Sequence, residues 1–165
     1  MAELPALILL AVVAYFGWKI YSGYRDGPDA RSPKQKVPAA PRAHIAAHHW
    51  ENNGYREVEV VGESNYQPHL KRLVGTPDEN GVAVACKAFL IPEPANQYDR
   101  NAIRVDIDGG TVGYLAKANA ALFHQRLKDH GVAGATTSCP AVIFGGKKMD
   151  RVRTPYGVWL EMKRL

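Results

Sequence analysis

Residues 81–115, GVAVACKAFLIPEPANQYDRNAIRVDIDGGTVGYL, decide the fold, because a long apolar run, a polar loop and two further strand patterns follow one another in them. The apolar run predicts a strand that ends near Ile91. The polar, proline-containing residues that follow it, as far as Asn101, predict a surface loop. A strand that is followed by a loop and by further strands at this spacing is typical of a small antiparallel sheet.

The second strand is predicted over residues 102–108, where apolar and polar side chains alternate. The alternation places one set of side chains on an inner face: Ile103, Val105 and Ile107. Asp106 and Asp108 are then expected on a solvated outer face. Asp-Gly-Gly at 108–110 is typical of a hairpin turn, so a third strand is predicted over 111–115.

Shorter elements are predicted on both sides of this stretch. Upstream, a short helix is predicted over 44–53 that ends at Gly54, followed by a strand over 56–61 with Val58 and Val60 inward. A second helix follows, which is capped by Ser64 or Asn65, has Pro68 in its first turn, and ends at Gly75. The downstream elements are the main helix over 116–130 with Leu122, Phe123 and Leu127 inward, and strands over 136–144 and 158–162. Five or six strands of irregular spacing with one main helix predict a mostly β domain, either a small antiparallel β-barrel or an α+β fold.

The amino-terminal residues differ from the rest in composition. Residues 4–21 are apolar apart from Lys19 and predict a transmembrane helix, with a cleaved signal peptide as the alternative. Residues 22–43 are basic and rich in proline, and they predict a disordered linker before a globular domain over 44–165. The positive charge that follows the span predicts a single-pass protein of the inner (cytoplasmic) membrane, with its carboxyl-terminal domain in the cytoplasm.

The sequence offers little for catalysis or for metal binding. Cys86 and Cys139 lie far apart without a metal-ligand spacing, and Cys86 is expected to be a small buried apolar residue. Three histidines near the start of the domain, at 44, 48 and 49, lack further marked ligands. Gly145-Gly146-Lys147 lacks the Walker A spacing. We therefore expect no metal ion, no cofactor and no built-in ATP motor, and we expect a protein that is not an enzyme.

The charge is unevenly distributed over the chain, whose net charge is +5. Residues 44–146 hold nine Lys and Arg against eleven Asp and Glu, a net charge of −2. Residues 147–165 hold six basic against two acidic side chains, a net charge of +4. A basic surface is therefore expected only locally.

Three blocks of the domain, in order, resemble the HIRAN domain family. They are VVGESNYQ over 60–67, IPEPANQYDRNAIRV over 91–105 and VGYL over 112–115, within a similarity that covers about residues 56–145. HIRAN domains occur at the amino terminus of fork-remodelling translocases and as small stand-alone bacterial and phage proteins. The resemblance implies an OB-like barrel that binds the 3′-hydroxyl end of single-stranded DNA. This chain differs from the eukaryotic members because it lacks the motor and has the predicted anchor.

The resemblance also implies which residues contact DNA. The nucleic-acid-binding candidates are Asn65, Tyr66, Tyr98, Asp99, Arg100, Tyr114, Lys117 and Phe144. Asp99 is expected to accept a hydrogen bond from a terminal 3′-hydroxyl and to repel an internal phosphate. Tyr66 and Tyr98 are expected to stack on the last bases, and Lys117 to meet a phosphate. A structural role for each of these residues, as a turn former, barrel aromatic or solvated charge, is the open alternative.

The expected function is thus a membrane-tethered module that binds single-stranded DNA ends in DNA repair, with a separate helicase or repair protein as a candidate partner. One alternative is a metal-dependent nuclease that uses Glu93, Asp99 or Asp106 in the same groove. A second alternative is a module that binds a peptide instead of DNA. A basic run at the carboxyl end either extends the DNA track or is only a charged hairpin loop: Lys147, Lys148, Arg151 and Arg153.

Overall fold

The computed structural model describes residues 44–51, 54 and 56–165. The anchor predicted over residues 4–21 and the linker predicted over 22–43 lie outside the described residues, so both stay predictions. Within the part of the chain that is described, no helix combines the length and the apolar character needed to cross a membrane.

The described residues form a mostly β domain with two α-helices, of which the second is the longer. In chain order the elements are β1 (His48–His49), β2 (Val58–Val61), a 3-10 turn (Glu63–Tyr66), α1 (Gln67–Val74), β3 (Val82–Pro92), β4 (Ile103–Ile107), β5 (Gly110–Leu115), α2 (Lys117–Asp129), β6 (Thr137–Gly145), β7 (Lys148–Met149), β8 (Val152–Arg153) and β9 (Tyr156–Leu160).

Six of these strands close into an antiparallel barrel. The strand order is β6-β3-β4-β5-β2-β9, and β9 pairs back with β6, where Leu160 lies opposite Ala141. Closure gives each barrel strand two hydrogen-bonded neighbours, which removes the free edges of an open sheet. The mostly β class and the OB-like barrel with one main helix are therefore confirmed.

The barrel interior is apolar and closely filled. The largest fully buried side chains include Phe123 and Leu127 from α2, Leu70 from α1, and Leu90, Ile103 and Ile143 from the barrel wall. Each fully buried side chain of this size contributes about 1.5–3 kcal/mol through the hydrophobic effect. The inward positions predicted for β2 and β4 are confirmed, since Val58, Val60 and the apolar residues of β4 are buried.

The two helices agree with the prediction in extent but differ in detail. Pro68 lies in the first turn of α1, and Gly75, with φ 69°, ends that helix. Tyr66 precedes α1 and forms no side-chain cap, so the predicted Ser64 or Asn65 cap is wrong. Leu122 is 51% exposed and is not part of the inward face of α2.

The helix predicted over 44–53 is wrong, because His48–His49 is a strand that pairs in parallel with Thr137–Ser138 of β6. This segment is extended and not helical because Trp50, the residue after the strand, is buried with 7% of its surface exposed. Its indole nitrogen donates a 3.0 Å hydrogen bond to Thr137 Oγ1, and its ring packs 5.8 Å from that of Phe123. These contacts are distant in sequence, and they override a local helical pattern.

Two further expectations about single side chains need correction. Asp106 was expected on a solvated face but is only 2% exposed, whereas Asp108, at the β4–β5 turn with φ 47°, is exposed. Cys86 is half-buried, and Cys139 is the fully buried thiol. Burial raises the pKa of Cys86 to about 11 and that of Cys139 to about 12.

Candidate nucleic-acid interface

The connection between β3 and β4 forms a distinct surface loop, which we call the 94–100 loop (residues Pro94–Arg100). These residues line an open depression of about 660 Å³. Tyr98 projects from the loop with 84% of its surface exposed, and Arg100 is also exposed. An aromatic ring held in solvent offers a face on which a base can stack.

Hydrogen bonds within the loop fix its shape. Asn96 Oδ1 accepts hydrogen bonds from the backbone nitrogens of Tyr98 at 2.9 Å and of Asp99 at 3.2 Å. Asp99 Oδ1 accepts one from the backbone nitrogen of Asn101 at 2.8 Å. Such Asx turns hold a loop without regular secondary structure. Within the described part of the chain the second oxygen of Asp99, Oδ2, accepts no hydrogen bond.

An ionic cluster lies next to the loop, on the outer face of β4. Arg104 forms an ion pair with Glu93 and another with Asp106, in which its Nε lies 2.9 Å from Asp106 Oδ1. Thr111 Oγ1 donates to the same oxygen at 3.0 Å, and His44 Nε2 lies 2.9 Å from Asp106 Oδ2. Burial opposes the charge of Arg104, but the two carboxylates raise its pKa above the usual value. The burial of Asp106 is explained by these contacts, since a buried charge needs partners.

The same cluster is joined to two of the predicted aromatic residues. Tyr114 of β5 lies opposite Arg104 of β4, and the half-buried ring of Tyr66 lies close to it. Burial raises the pKa of Tyr114, and the nearby Glu93 and Tyr66 raise it further. The phenol of Tyr114 therefore holds its proton more tightly than a free tyrosine does, and a side-chain hydrogen bond links it to Tyr66.

Phe144 contributes to a second concave surface, which it shares with the 3-10 turn. This groove of about 350 Å³ is lined by Gly62, Glu63, Ser64, Gln67, Phe144, Pro155, Tyr156 and Gly157. Phe144 is 36% exposed, and its ring centroid lies 6.4 Å from that of Trp159. The 3-10 turn that lines this groove also carries Asn65 and Tyr66.

The remaining candidates are placed separately. Lys117 is the exposed first residue of α2, two positions after the end of β5. The structure thus groups Tyr98, Asp99 and Arg100 on one loop, Tyr66 with Tyr114, and Phe144 with the 3-10 turn. Glu93 connects the first two groups, because it lies near Tyr114 and also accepts a 3.0 Å hydrogen bond from Asn96.

The basic run at the carboxyl end forms the hairpin of β7 and β8. Lys148 Nζ pairs with Glu79 Oε1 at 2.7 Å. Arg153 donates to the backbone oxygens of Asp78 at 2.7 Å and Gly146 at 2.6 Å. Two of the four cations of the basic run, Lys148 and Arg153, therefore hold the hairpin in place through these contacts. The other two, Lys147 and Arg151, are exposed.

The arrangement gives no support to metal chemistry in this region. Glu93 and Asp106, two of the three carboxylates offered for the nuclease alternative, both pair with Arg104. Among the described residues, no group of three or more His, Cys, Asp or Glu side chains is placed to hold a metal ion.

Sequence reasoning missed the importance of Asn96, Arg104 and His44. One signal was present, since Arg104 and Asp106 are oppositely charged residues two apart on one face of a strand. The partnership with Glu93, eleven residues away, and with His44 depends on the tertiary fold.

The fold and this surface define a class of protein: a small closed OB-like barrel with aromatic side chains and a polar loop at its rim. The HIRAN domain family model matches residues 53–143, more than half of the chain. The chain therefore belongs to the HIRAN domain family, a family of DNA-binding modules that are generally non-catalytic. No curated protein and no solved structure matches the chain.

Proposed function

We propose that this protein binds single-stranded DNA at its 3′-hydroxyl end and that the 94–100 loop contacts the terminal nucleotide. The observation that carries the proposal is the hydrogen bonding of the two carboxylate oxygens of Asp99. Its Oδ1 is used by the loop, whereas Oδ2 accepts no hydrogen bond within the described residues. A carboxylate oxygen next to an exposed tyrosine suits a terminal hydroxyl, because a hydroxyl donates a hydrogen bond and a phosphate does not.

Electrostatics give the proposed contact its selectivity. A hydrogen bond to a charged acceptor contributes about 1.5–3 kcal/mol, which corresponds to at least a tenfold gain in affinity. A phosphate at the same position would face a like charge, whose repulsion at about 4 Å is roughly 1 kcal/mol in water and larger near a protein surface. Asp99 therefore favours a strand end and disfavours the interior of a strand.

The other candidates supply affinity without base selectivity. Tyr98 and Tyr66 stack on the last bases, and each stacked base contributes about 1–3 kcal/mol. Tyr114 donates to a nearby oxygen of the strand, and Lys117 and Arg100 neutralise phosphates. Phe144 receives a base further along the strand, in the groove beside the 3-10 turn.

A comparison of linear and circular DNA tests the proposal. The full-length protein is titrated into a labelled linear oligonucleotide, with the closed circle of the same sequence as competitor. End binding predicts that the circle competes at least tenfold less well than the unlabelled linear strand. Equal competition would refute end recognition and leave only general binding of single strands. Tyr98→Ala is expected to weaken binding of the linear strand, and Leu122→Ala, at an exposed site on α2, serves as the control.

We further propose that residues 4–21 anchor the protein in the cytoplasmic membrane and that the domain faces the cytoplasm. The support is the apolar sequence, in which Lys19 is the only charge, followed by a basic segment. Extraction of membranes with alkaline carbonate tests this proposal: an anchored protein stays in the pellet, and a peripheral one is released. A separate helicase or repair protein is the partner that such an end-binding module would serve.

A further inference from the structure

A continuous chain of polar contacts runs from the barrel wall to the backbone of the 94–100 loop. Arg104 holds Glu93 and Asp106 at once, so the carboxylate of Glu93 is fixed relative to β4. Glu93 Oε2 accepts the 3.0 Å hydrogen bond from Asn96 Nδ2. The other end of that amide, Asn96 Oδ1, accepts from the backbone nitrogens of Tyr98 and Asp99.

The order of donors and acceptors along this chain is fully determined. Arg104 can only donate, so Glu93 must accept from it. Because Glu93 also accepts from Asn96, the amide of Asn96 is oriented with its nitrogen toward Glu93 and its oxygen toward the loop. A flipped amide would place a donor against two backbone N–H groups. The charge of Arg104 thereby fixes the position of the two backbone amides that carry Tyr98 and Asp99.

We propose that Glu93, Arg104 and Asn96 are positioning residues that set the selectivity of the loop for a 3′-hydroxyl, without contacting DNA through the polar groups that form this chain. The inference rests on the proposed function of Asp99 and Tyr98. Asp106 supports the chain from behind, since it is 2% exposed and holds Arg104 in place. Without this chain of contacts the backbone amides of Tyr98 and Asp99 would no longer be held in place, and the Asp99 carboxylate would lose its fixed direction.

The competing explanation is that these contacts only stabilise the folded barrel and do not position the loop. Buried ion pairs contribute little net stability compared with apolar residues of the same volume, because both charges lose their hydration. The experiment must therefore separate the shape of the loop from the stability of the barrel. The chain offers a matched exchange for this purpose, in which the polarity of one hydrogen bond is reversed.

The exchange uses Glu93→Gln and Asn96→Asp, alone and together. In Glu93→Gln alone, a donor nitrogen of the new amide faces either Arg104 or the nitrogen of Asn96. In Asn96→Asp alone, two carboxylates face each other. In the double variant, the glutamine oxygen accepts from Arg104, its nitrogen donates to the new aspartate, and the second aspartate oxygen accepts from the two loop amides. All groups are again satisfied, and the total charge equals that of the wild type.

Two readouts on the full-length protein decide the matter. The first is the affinity ratio for an oligonucleotide with a 3′-hydroxyl over the same strand with a 3′-phosphate, which we expect to fall at least fivefold in each single variant and to return within twofold of wild type in the double variant. The second is hydrogen exchange of the Tyr98 and Asp99 amides, which we expect to be faster in the single variants and restored in the double variant. A purely structural role would instead change the melting temperature and weaken both oligonucleotides equally.

The two readouts also separate this inference from the proposed function. If the wild type shows no preference for the hydroxyl, the proposed function fails, and amide exchange alone decides whether the chain positions the loop. Unchanged amide exchange in both single variants would overturn the inference. If the double variant does not fold, Asn96→Ala replaces it in the test, because this partly exposed side chain can be removed with little loss of barrel packing. Retention of the wild-type ratio and amide exchange in Asn96→Ala would overturn the inference as well.

Discussion

Removal of the Arg104 side-chain charge should destabilise the domain far more than removal of an exposed arginine. Arg104→Met keeps an unbranched apolar stem but removes the guanidinium, so Asp106, 2% exposed, loses its positively charged partner on β4. Breaking a buried ion pair by removing one member costs about 3–5 kcal/mol. Thr111 and His44 still bind the carboxylate, so we expect a loss near the lower limit, about 3 kcal/mol.

Arg56 provides the matched control. It pairs with Glu161 at 2.8 Å, but its side chain is 60% exposed, against 15% for Arg104. Glu161 is 13% exposed, but solvent screens the exposed guanidinium of Arg56, so this pair contributes about 0–1 kcal/mol and Arg56→Met should lose at most that amount. Urea denaturation followed by tryptophan fluorescence measures both losses, because Trp50 is buried in the folded barrel. A loss for Arg104→Met that is no larger than the loss for Arg56→Met would refute the role assigned to the buried cluster.

Three further predictions concern the two thiols, the partly buried carboxyl of Glu63 and the close approach of Gly157 to Phe144. Burial raises the pKa of Cys86 to about 11 and that of Cys139 to about 12, so both thiols should react slowly with a disulfide reagent at about pH 8 in the folded protein and rapidly in urea. Fast labelling of the folded protein would contradict their burial. Burial also raises the pKa of Glu63, so the folded state holds its proton more tightly than the unfolded state, and this contribution to stability is lost as the pH rises through the folded pKa. The melting temperature of Glu63→Gln relative to wild type should therefore rise as the pH is raised from the ordinary glutamate pKa of about 4.3 towards neutral pH, and an unchanged difference would exclude the effect. In Gly157→Ala the new Cβ would overlap sterically with the Phe144 ring, because a Cβ built there lies only 2.5 Å from Cζ. The ring must therefore move, and titration with labelled single-stranded DNA should show weaker binding.

Local patterns were sufficient for most of the barrel strands. The alternation in β4 and the hairpin signal at Asp108 depend on neighbouring residues only, and both predictions are confirmed. The inward stripe of α2 was partly predicted, since Phe123 and Leu127 are buried while Leu122, one position before Phe123, lies off the stripe. Barrel closure through β9 and β6 has no local signal and came from the family resemblance.

The errors share a physical cause, which is contact between residues distant in sequence. Alternation in β4 correctly places Asp106 opposite the core side, but it carries no information about what covers the outer face. His44, which lies 62 residues before Asp106, is one of the groups that cover it. The strand at His48–His49 likewise depends on pairing with β6, and the pattern HIAAHH alone favours a helix.

The candidate site was predictable in composition but not in organisation. Tyr98 and Asp99 were expected on a surface loop, and the structure places them on one. The grouping of Tyr66 with Tyr114, and the connection of both to the loop through Glu93, require the pairing of β4 with β5. The sequence therefore supplied the chemical groups, and the barrel determines which of them act together.

The central claim is that Asp99 recognises a terminal 3′-hydroxyl, and one measurement tests it most directly. Fluorescence anisotropy compares binding of the full-length protein to a short single strand that ends in a 3′-hydroxyl or in a 3′-phosphate. Asp99→Asn keeps the oxygen that forms the loop turn, and Asp108→Asn removes the same charge from an exposed turn as a control. We predict that wild type and Asp108→Asn prefer the hydroxyl by at least tenfold and that Asp99→Asn loses this preference. Equal binding of the two strands by the wild type, or an undiminished preference in Asp99→Asn, would contradict the account.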